Sequence, residues 1–356
     1  MDPSFWPSQS ELNEIREIVA TMAGRCIEDV RVVASPYRIC PLGAHIDHQG
    51  GTVSAMTINR GVLLGFIPSG DSQVVLRSGQ FKGEVKFSVN EIVHPKDNIG
   101  VCKNDANDSS KLYEECDWGN YARGALYALQ RKGSHLSQGI IGYLCGPEGL
   151  DSSGLSSSAA VGVAYLLALE SANNLTISPK ENIEYDRLIE NEYLGLKNGI
   201  LDQSAILLSS RGCLLCMNCK CFRIWRNGCS SLKCSTGGLS RTQGLEAWAT
   251  GRLEDFGKLI TASGLSSIQN YECGSEPLIQ LYKILVNAPG VFGARFSGAG
   301  FRGCCIALVD AEHADEAASF VRREYQKIHP ELASQWKQDK AVLICEAGDS
   351  ARVILS

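Results

Sequence analysis

Hydrophobic and polar residues along this chain follow two different periods, and both periods occur in each half of the sequence. Apolar residues at helical spacing predict helices over residues 11–23, 121–130, 161–169, 278–285 and 311–328. Short alternating or continuously apolar runs predict strands at 29–34, 52–57, 62–67, 73–76, 84–87, 139–145, 291–296, 304–309 and 341–345. The mixture predicts an α+β protein.

A run rich in glycine and serine, residues 149–160, leads directly into the predicted helix at Val161. Glycine allows turns that expose backbone N–H groups, and a helix N-terminus carries about half a positive charge. A phosphate group is stabilised at such a position. Linkers share this composition but do not continue into an apolar helix. We therefore interpret the run as a phosphate-binding loop.

A second run, residues 36–51, places charged and imidazole side chains beside turn-forming glycines. These side chains belong to Arg38, His45, Asp47 and His48. Short polar groups that form several hydrogen bonds at once suit a ligand rich in hydroxyl groups. On spacing alone, a polar turn between two strands remains the alternative.

A capping box at Ser178 and Glu181 predicts the start of a further helix, which should stop at Gly199. Glu190 then lies in the middle of that helix and Asp202 just beyond its end. One carboxylate could bind magnesium while the other orients or deprotonates a hydroxyl group. Without further context, two such carboxylates are more often structural.

A second glycine loop, residues 298–303, has the spacing of a dinucleotide-binding fingerprint. That fingerprint requires a helix after the loop, whereas the apolar run 304–309 predicts a strand. We expect instead that Gly298 and Gly300 let the backbone approach the phosphates of a nucleotide.

Composition restricts the remaining possibilities. The 356 residues suffice for two domains, and a net charge of −5 argues against a nucleic-acid partner. The apolar runs are too short to span a membrane, and the first residues lack the features of a signal peptide, which predicts a cytoplasmic protein. Several of the 15 cysteines lie in apolar runs, unlike a disulfide framework. Cys213, Cys216 and Cys219 have zinc-like spacing, but no histidine accompanies them.

Together these motifs resemble those of the GHMP small-molecule kinases. The run from Arg38 to Gly51 is similar to the pattern R-x-N-L-I-G-E-H-x-D-Y-N-G-G of the galactokinase branch, and within that branch the chain most resembles plant kinases that act on a sugar acid. The resemblance implies an α+β fold of two domains with a deep cleft between them. It implies an N-terminal domain over 1–210, a C-terminal domain over 244–356, and an irregular cysteine-rich segment over 211–243.

The resemblance also implies roles for individual residues. Asp202 would serve as base or orient the acceptor hydroxyl, and Arg38 would stabilise charge during transfer. Sugar-binding positions would be Ala44, His45, Asp47, His48 and Gly199. ATP-binding positions would be Gly154, Leu155, Ser156, Ser157, Ser158, Ala159, Gly298 and Gly300. Mg²⁺ would be held by Ser158 and Glu190.

One departure from the galactokinase pattern concerns the substrate. Ala44 stands where galactokinases have a glutamate that contacts the C6 hydroxyl group of the sugar. Two like charges about 4 Å apart cost on the order of 4 kcal/mol at an effective dielectric constant near 20. Loss of that glutamate suits a sugar with a C6 carboxylate. The resemblance thus implies ATP-dependent phosphorylation of D-galacturonic acid at its anomeric hydroxyl, with a galactokinase of broader sugar range as the alternative.

A second departure concerns length. Galactokinase-like enzymes carry several tens of further residues before the final glycine motif, including helices and a tyrosine that contacts the sugar. The nonperiodic run 221–243 stands in their place, and we expect it to be disordered. Missing helices would expose apolar surface, so a truncated isoform that binds ligand with impaired catalysis stays a second alternative. The sequence does not predict the oligomeric state.

Overall fold

Two sheets and their flanking helices form the described part of the chain. The computed structural model describes residues 6–43, 46–47, 49–95, 117–147, 155–220, 223–228, 243–298, 300–301, 303–334 and 341–355. The strands are β1 (Arg31–Leu42), β2 (Thr52–Pro68), β3 (Gln73–Ser78), β4 (Glu84–Ser88), β5 (Ile140–Cys145), β6 (Cys213–Asn218), β7 (Arg223–Gly228), β8 (Val291–Ser297), β9 (Cys304–Val309) and β10 (Arg352–Ile354).

The helices are distributed along the whole of the described chain. They are α1 (Gln9–Ala23), α2 (Asn120–Arg131), α3 (Ser157–Ala172), α4 (Pro179–Arg187), α5 (Leu201–Leu208), α6 (Gln243–Ala249), α7 (Leu253–Gln269), α8 (Glu276–Val286), α9 (Ala314–Ile328) and α10 (Pro330–Ser334). A π-helix, Leu188–Tyr193, continues α4, and 3₁₀ turns occur at Ile27–Asp29, Asp117–Gly119 and Ala311–His313.

The larger sheet is organised around β2, which at 17 residues is long enough to pair with three strands. It is antiparallel to β1 along much of its length, to β5 through Leu63–Pro68, and to β6 through Thr52–Ala55. The strand order is β10-β1-β2-β5-β3-β4, with β6 beside the first part of β2 and β7 beside β6. The smaller sheet is the antiparallel pair β8-β9.

Helix α3 occupies the centre of the main core. Its residues from Ala159 to Leu169 are buried on most sides, which explains why its sequence is apolar all round rather than amphipathic. It packs against β1 and β2, and against α2, α4 and α5. The loop that precedes α3 is therefore attached to the most buried helix among the described residues.

A smaller apolar cluster joins the C-terminal helices to the larger sheet. Leu214 and Cys216 of β6 form one buried cluster with Trp248 of α6 and with Phe256 and Ile260 of α7. Because β6 belongs to the larger sheet, the C-terminal part of the chain packs directly on the N-terminal part.

The segment 211–243 is more regular than the sequence predicts. Cys213–Asn218 is a buried strand, and Arg223–Gly228 pairs with it along its full length. The prediction of disorder is therefore wrong for 223–228 and for Gln243, where α6 begins. Residues 221–222 and 229–242, on which the same prediction falls, lie outside the described residues.

Most of the predicted helices and strands are confirmed, with differences at their ends. Strand β1 continues past its predicted end through Pro36, where the register with β2 shifts, and the two runs at 52–57 and 62–67 are one strand. The capping box at Ser178 is confirmed, but the regular helix ends at Arg187. The strand predicted at 341–345 is wrong, since that segment makes no ladder and β10 pairs with β1 instead. No helix among the described residues has the length and apolar character to cross a membrane.

The close contact between the backbones of α7 and β8 predicts that a single added methyl group destabilises the protein. A Cβ added at Gly293 would overlap the carbonyl oxygen of Gly257 and lie 2.8 Å from its Cα. We expect Gly293→Ala to lower the free energy of unfolding by about 3 kcal/mol, because backbone atoms must separate. Gly251→Ala is the control. Its Cβ would meet nothing within 4 Å at a φ of +72°, so only backbone strain of about 1 kcal/mol is expected. Equal losses in denaturant unfolding would contradict this packing.

Candidate active site

An ion pair connects the two elements that carry the predicted catalytic residues. Arg38 of β1 donates from Nε and from Nη2 to Oδ1 of Asp202, both at 2.7 Å. Asp202 lies beyond the end of the helix that begins at Pro179, as predicted, and in the first turn of α5, a helix that the sequence does not predict. Burial alone would lower the pKa of Arg38, but the charge of Asp202 raises it, so the guanidinium is firmly protonated.

The end of the predicted phosphate loop is bound to the same ion pair. Ser156 Oγ donates to Oδ2 of Asp202 at 2.5 Å, and the Arg38 backbone N–H donates to the Leu155 carbonyl oxygen at 3.1 Å. Ser156 adopts a left-handed conformation, φ 59°, and α3 begins at the next residue. The loop end, β1 and α5 are thus held together at one point.

The first turn of α3 presents the groups that the sequence predicts for a phosphate. Ser157 and Ser158 are partly exposed and Ala159 is buried. The first N–H groups of a helix have no partner within the helix, so they are available to a bound anion. Gly154 lies outside the described residues.

Glu190 is a buried carboxylate without a hydrogen-bond partner of good geometry among the described residues. Both of its oxygens are unpaired, and its side chain is 0 % exposed. Burial, followed by the charge of Asp202, raises the pKa of Glu190 to about 7. Ser158 and Asn198 oppose that shift, which places the Ser158 side chain close to the carboxylate. Glu190 lies in a π-helix, a distortion often found at functional sites.

Asp186 is a second buried acid, and the sequence analysis missed it. It is 0 % exposed, neither of its oxygens has a hydrogen-bond partner among the described residues, and it faces Gly162 of α3. Burial raises its pKa well above the usual range, and the charges of Glu190 and Asp202 raise it further. The signal in the sequence is an acid one helical turn before Glu190, on the same face of the helix.

The predicted sugar-binding residues Asp47 and Gly199 contact each other. A Cβ at Gly199 would overlap Oδ2 of Asp47 and lie 2.6 Å from its Cγ, so only glycine leaves room for this carboxylate. Asp47 and Asp202 both act on the charge of Arg38, which places this contact beside the ion pair. Ala44, His45 and His48 lie outside the described residues.

The second glycine loop connects β8 to β9, so the strand predicted after it is confirmed. Gly298 and Gly300 have φ values of 91° and 75°, a conformation that favours glycine. Cys304, at the end of the loop, packs against the main core, to which Leu155 also belongs. Its contact with a nucleotide stays a prediction.

The chain is similar to known sugar kinases over nearly its whole length. The chain is 57% identical to a galacturonokinase of Arabidopsis thaliana over 425 aligned positions, which cover 98% of this chain and 100% of the relative. The chain belongs to the GHMP kinase family. The family model described as GHMP kinases N terminal domain matches residues 120–210, and the GHMP kinases C terminal model matches 245–327. GHMP kinases use ATP as substrate.

Other GHMP kinases are more distant. A galactokinase of Halalkalibacterium halodurans is 24% identical over 373 positions, covering 85% of this chain and 89% of the relative. The crystal structure of Lactococcus lactis galactokinase complexed with galactose is similar at a TM-score of 0.75 and 22% identity, covering 96% of this chain and 99% of that one. A mevalonate kinase of Methanococcus jannaschii has a TM-score of 0.57 at 16% identity and covers 91% and 96% of the two chains. The predicted fold is confirmed.

The alignment with the Arabidopsis protein also bears on length. Its 425 positions exceed the 356 residues of this chain, so at least 69 positions hold residues of the relative alone. This GHMP kinase thus lacks several tens of residues that the relative has, as the sequence predicts.

Two variants distinguish the stabilisation by the hydrogen bond between Ser156 and Asp202 from the destabilisation by the backbone strain at Ser156. Ser156→Ala removes the hydroxyl and keeps the strained conformation, so we expect it to lower the free energy of unfolding by about 2 kcal/mol. Ser156→Gly removes the same hydroxyl but relieves the strain, so it should be about 1 kcal/mol more stable than the alanine variant. Denaturant unfolding of both variants measures the two effects. An alanine variant as stable as the unsubstituted protein would contradict the bond.

Proposed function

We propose that this chain is an ATP-dependent sugar kinase that phosphorylates the anomeric hydroxyl group of D-galacturonic acid to give galacturonate 1-phosphate. The observation that carries the proposal is the 57% identity with the Arabidopsis galacturonokinase along nearly the whole of both chains. Galactokinases among the relatives are only 24–27% identical, so galactose as the preferred sugar has less support.

Asp202 is the residue that would receive the acceptor hydroxyl group. Its Oδ1 accepts from both Nε and Nη2 of Arg38, whereas its Oδ2 accepts from Ser156 and has room for a further donor. The sugar hydroxyl would donate to Asp202 while its oxygen forms a bond to the γ-phosphorus. The bond from that phosphorus to the bridging oxygen breaks, ADP leaves, and the hydroxyl proton passes to Asp202. Arg38 would stabilise the negative charge that develops.

The sugar would lie on the contact between Asp47 and Gly199. Asp47 is an acceptor for sugar hydroxyl groups, and Gly199 fixes the position of its carboxylate. Ala44, His45 and His48 belong to the same proposed site through their place in the motif. Alanine at position 44 removes a negative charge that would repel the C6 carboxylate of a sugar acid.

ATP would bind with its phosphates between the two glycine-containing loops. Leu155–Ala159 supply the helix N-terminus, and Gly298 and Gly300 supply the opposite backbone. The side chains present suit Mg²⁺, because Glu190 has two buried oxygens without a partner and Ser158 adds a hydroxyl. When bound, the ion would neutralise phosphate charge.

The metal proposal has a matched pair of variants. Chelation should abolish ADP release, and Glu190→Gln should raise the Mg²⁺ concentration for half-maximal rate at least about tenfold, because a charged ligand is lost. Glu170→Gln removes another buried carboxylate, one bound to Asn182 instead, and should leave the Mg²⁺ dependence unchanged. Mn²⁺ binding measured in the absence of turnover should weaken in the first variant alone. Equal Mn²⁺ affinities would contradict the role of Glu190.

The proposed activity is tested by ADP release from Mg-ATP with galacturonate, glucuronate and galactose in parallel. We expect release with galacturonate, and a fall of about a thousandfold in Asp202→Asn, which keeps the shape but not the charge. Comparable rates with galactose would favour the broader galactokinase. ATP binding without ADP release from any sugar would favour an impaired isoform, which the 69 or more unmatched alignment positions keep as the second candidate. A cytoplasmic location stays a prediction.

A further inference from the structure

Asn191, the residue after Glu190 in the π-helix, holds the backbone of Asn198 through two hydrogen bonds. Its Nδ2 donates to the carbonyl oxygen of Asn198 at 2.8 Å, and its Oδ1 accepts from the N–H group of Asn198 at 2.7 Å. One bond needs the amide nitrogen and the other needs the amide oxygen, so together they fix the orientation of the side chain. Asn191 thus binds both polar groups of one backbone residue to the end of the π-helix.

The segment between these two residues is irregular, so its path depends on such bonds. Residues 194–200 form neither helix nor strand, and the φ values of Gly195 and Lys197 are 71° and 55°. This left-handed conformation is unfavourable for lysine, which carries a Cβ. Gly195 and Lys197 are also exposed, so packing against the core does not hold them in place. The hydrogen bonds of Asn191 stabilise the last part of this path.

Gly199 follows Asn198 directly and lies against the carboxylate of Asp47. A Cβ at Gly199 would overlap Oδ2 of Asp47. On the other side, Nε2 of Gln203 in α5 donates to the carbonyl oxygen of Gly199 at 3.2 Å. Gly199 is thus held between Asn198 before it and Gln203 after it. A shift of this backbone would change the space that the carboxylate of Asp47 occupies.

We propose that Asn191 is a positioning residue for the acceptor sugar, because it fixes Asn198 and thereby keeps Gly199 against Asp47. The inference rests on the proposed function, in which Asp47 accepts from the hydroxyl groups of the sugar. Asn191 acts through the backbone and does not itself contact the sugar. A binding group that is fixed before its ligand arrives loses less conformational freedom on binding. Loss of the Asn191 side chain should therefore weaken sugar binding although no contact with the sugar is removed.

The test combines calorimetry of galacturonate binding, in the presence of Mg²⁺ and a non-hydrolysable ATP analogue, with initial rates of ADP release. In Asn191→Ala we expect the Kd and the KM for galacturonate to rise about tenfold. The kcat should fall less than about threefold, because the ion pair between Arg38 and Asp202 is unchanged. Asn191→Asp can accept from the N–H group of Asn198 but cannot donate to its carbonyl oxygen, so its Kd should lie between the other two.

Asn173 provides the matched control for a merely structural loss. Its Oδ1 accepts from the N–H groups of Ser137 and Gln138 at 2.8 and 3.1 Å, and its Nδ2 donates to the carbonyl oxygen of Gln138 at 2.9 Å. Asn173 follows the last residue of α3, whereas the predicted phosphate loop precedes the first residue of that helix. Asn173→Ala should destabilise the protein in denaturant unfolding at least as much as Asn191→Ala. Its Kd for galacturonate should stay within about twofold of that of the unsubstituted protein.

Hydrogen exchange tests the same bonds without relying on a variant that must fold. The backbone N–H group of Asn198 should exchange at least about tenfold more slowly in the unsubstituted protein than in an unstructured peptide. In Asn191→Ala that protection should be lost, whereas in Asn173→Ala it should remain.

The outcomes separate this inference from the proposed function. If the unsubstituted protein does not bind galacturonate, the proposed function fails, whatever the exchange of Asn198 shows. If galacturonate binds but the Kd of Asn191→Ala is unchanged, or if Asn198 is unprotected, the inference is overturned. A lower kcat at an unchanged Kd would assign the effect to Asp202, and an equal rise of Kd in Asn173→Ala would assign it to a general loss of stability. Either result would overturn the inference as well.

Discussion

The ion pair between Arg38 and Asp202 is the interaction on which the rest of the site depends. It joins a strand of the larger sheet to the first turn of α5, and through Ser156 it also holds the loop that begins the most buried helix. Asp202 therefore receives three donor groups, two from Arg38 of β1 and one from Ser156 of the loop, while it lies on a third element itself. A carboxylate held in this way loses little freedom when a substrate binds, which is the advantage of a preorganised site.

Two acids near this ion pair are buried at a cost to the free energy of folding. Asp186 and Glu190 lie one helical turn apart without hydrogen-bond partners among the described residues, and burial raises both of their pKa values. Such groups are expensive in a folded chain, so their presence on one side of the ion pair indicates a requirement other than stability. Arg295 of β8 is a buried cation, and the side chains that accept from it, Ser263 and Ser267, are neutral.

The sequence predicts those parts of the fold and site that depend on local patterns. The capping box at Ser178 and the apolar helix α3 depend on local patterns, and both are confirmed. Helix α5 was missed because Ile200, at its N-cap, supplies no capping side chain. Helix α7 was missed because glycine and serine interrupt its apolar pattern. Two of these glycines, Gly257 and Gly264, are explained only by the close approach of β8, whose backbone leaves no room for a Cβ there. The partners of Arg295 are about 30 residues away in sequence, beyond any local pattern.

The contacts of β6 affect where chains of this family can differ in length without disturbing the site. The N–H group of Cys219, at its end, donates to the carbonyl oxygen of Gly51 at 3.0 Å, so β6 anchors the loop that carries Asp47. The same strand receives α6 and α7 on its face. Insertions or deletions after β7 do not remove this hydrogen bond, because Gly51 and Cys219 both precede β7 in the chain. The loop that carries Asp47, a proposed sugar-binding residue, is therefore held independently of the length of the chain after β7.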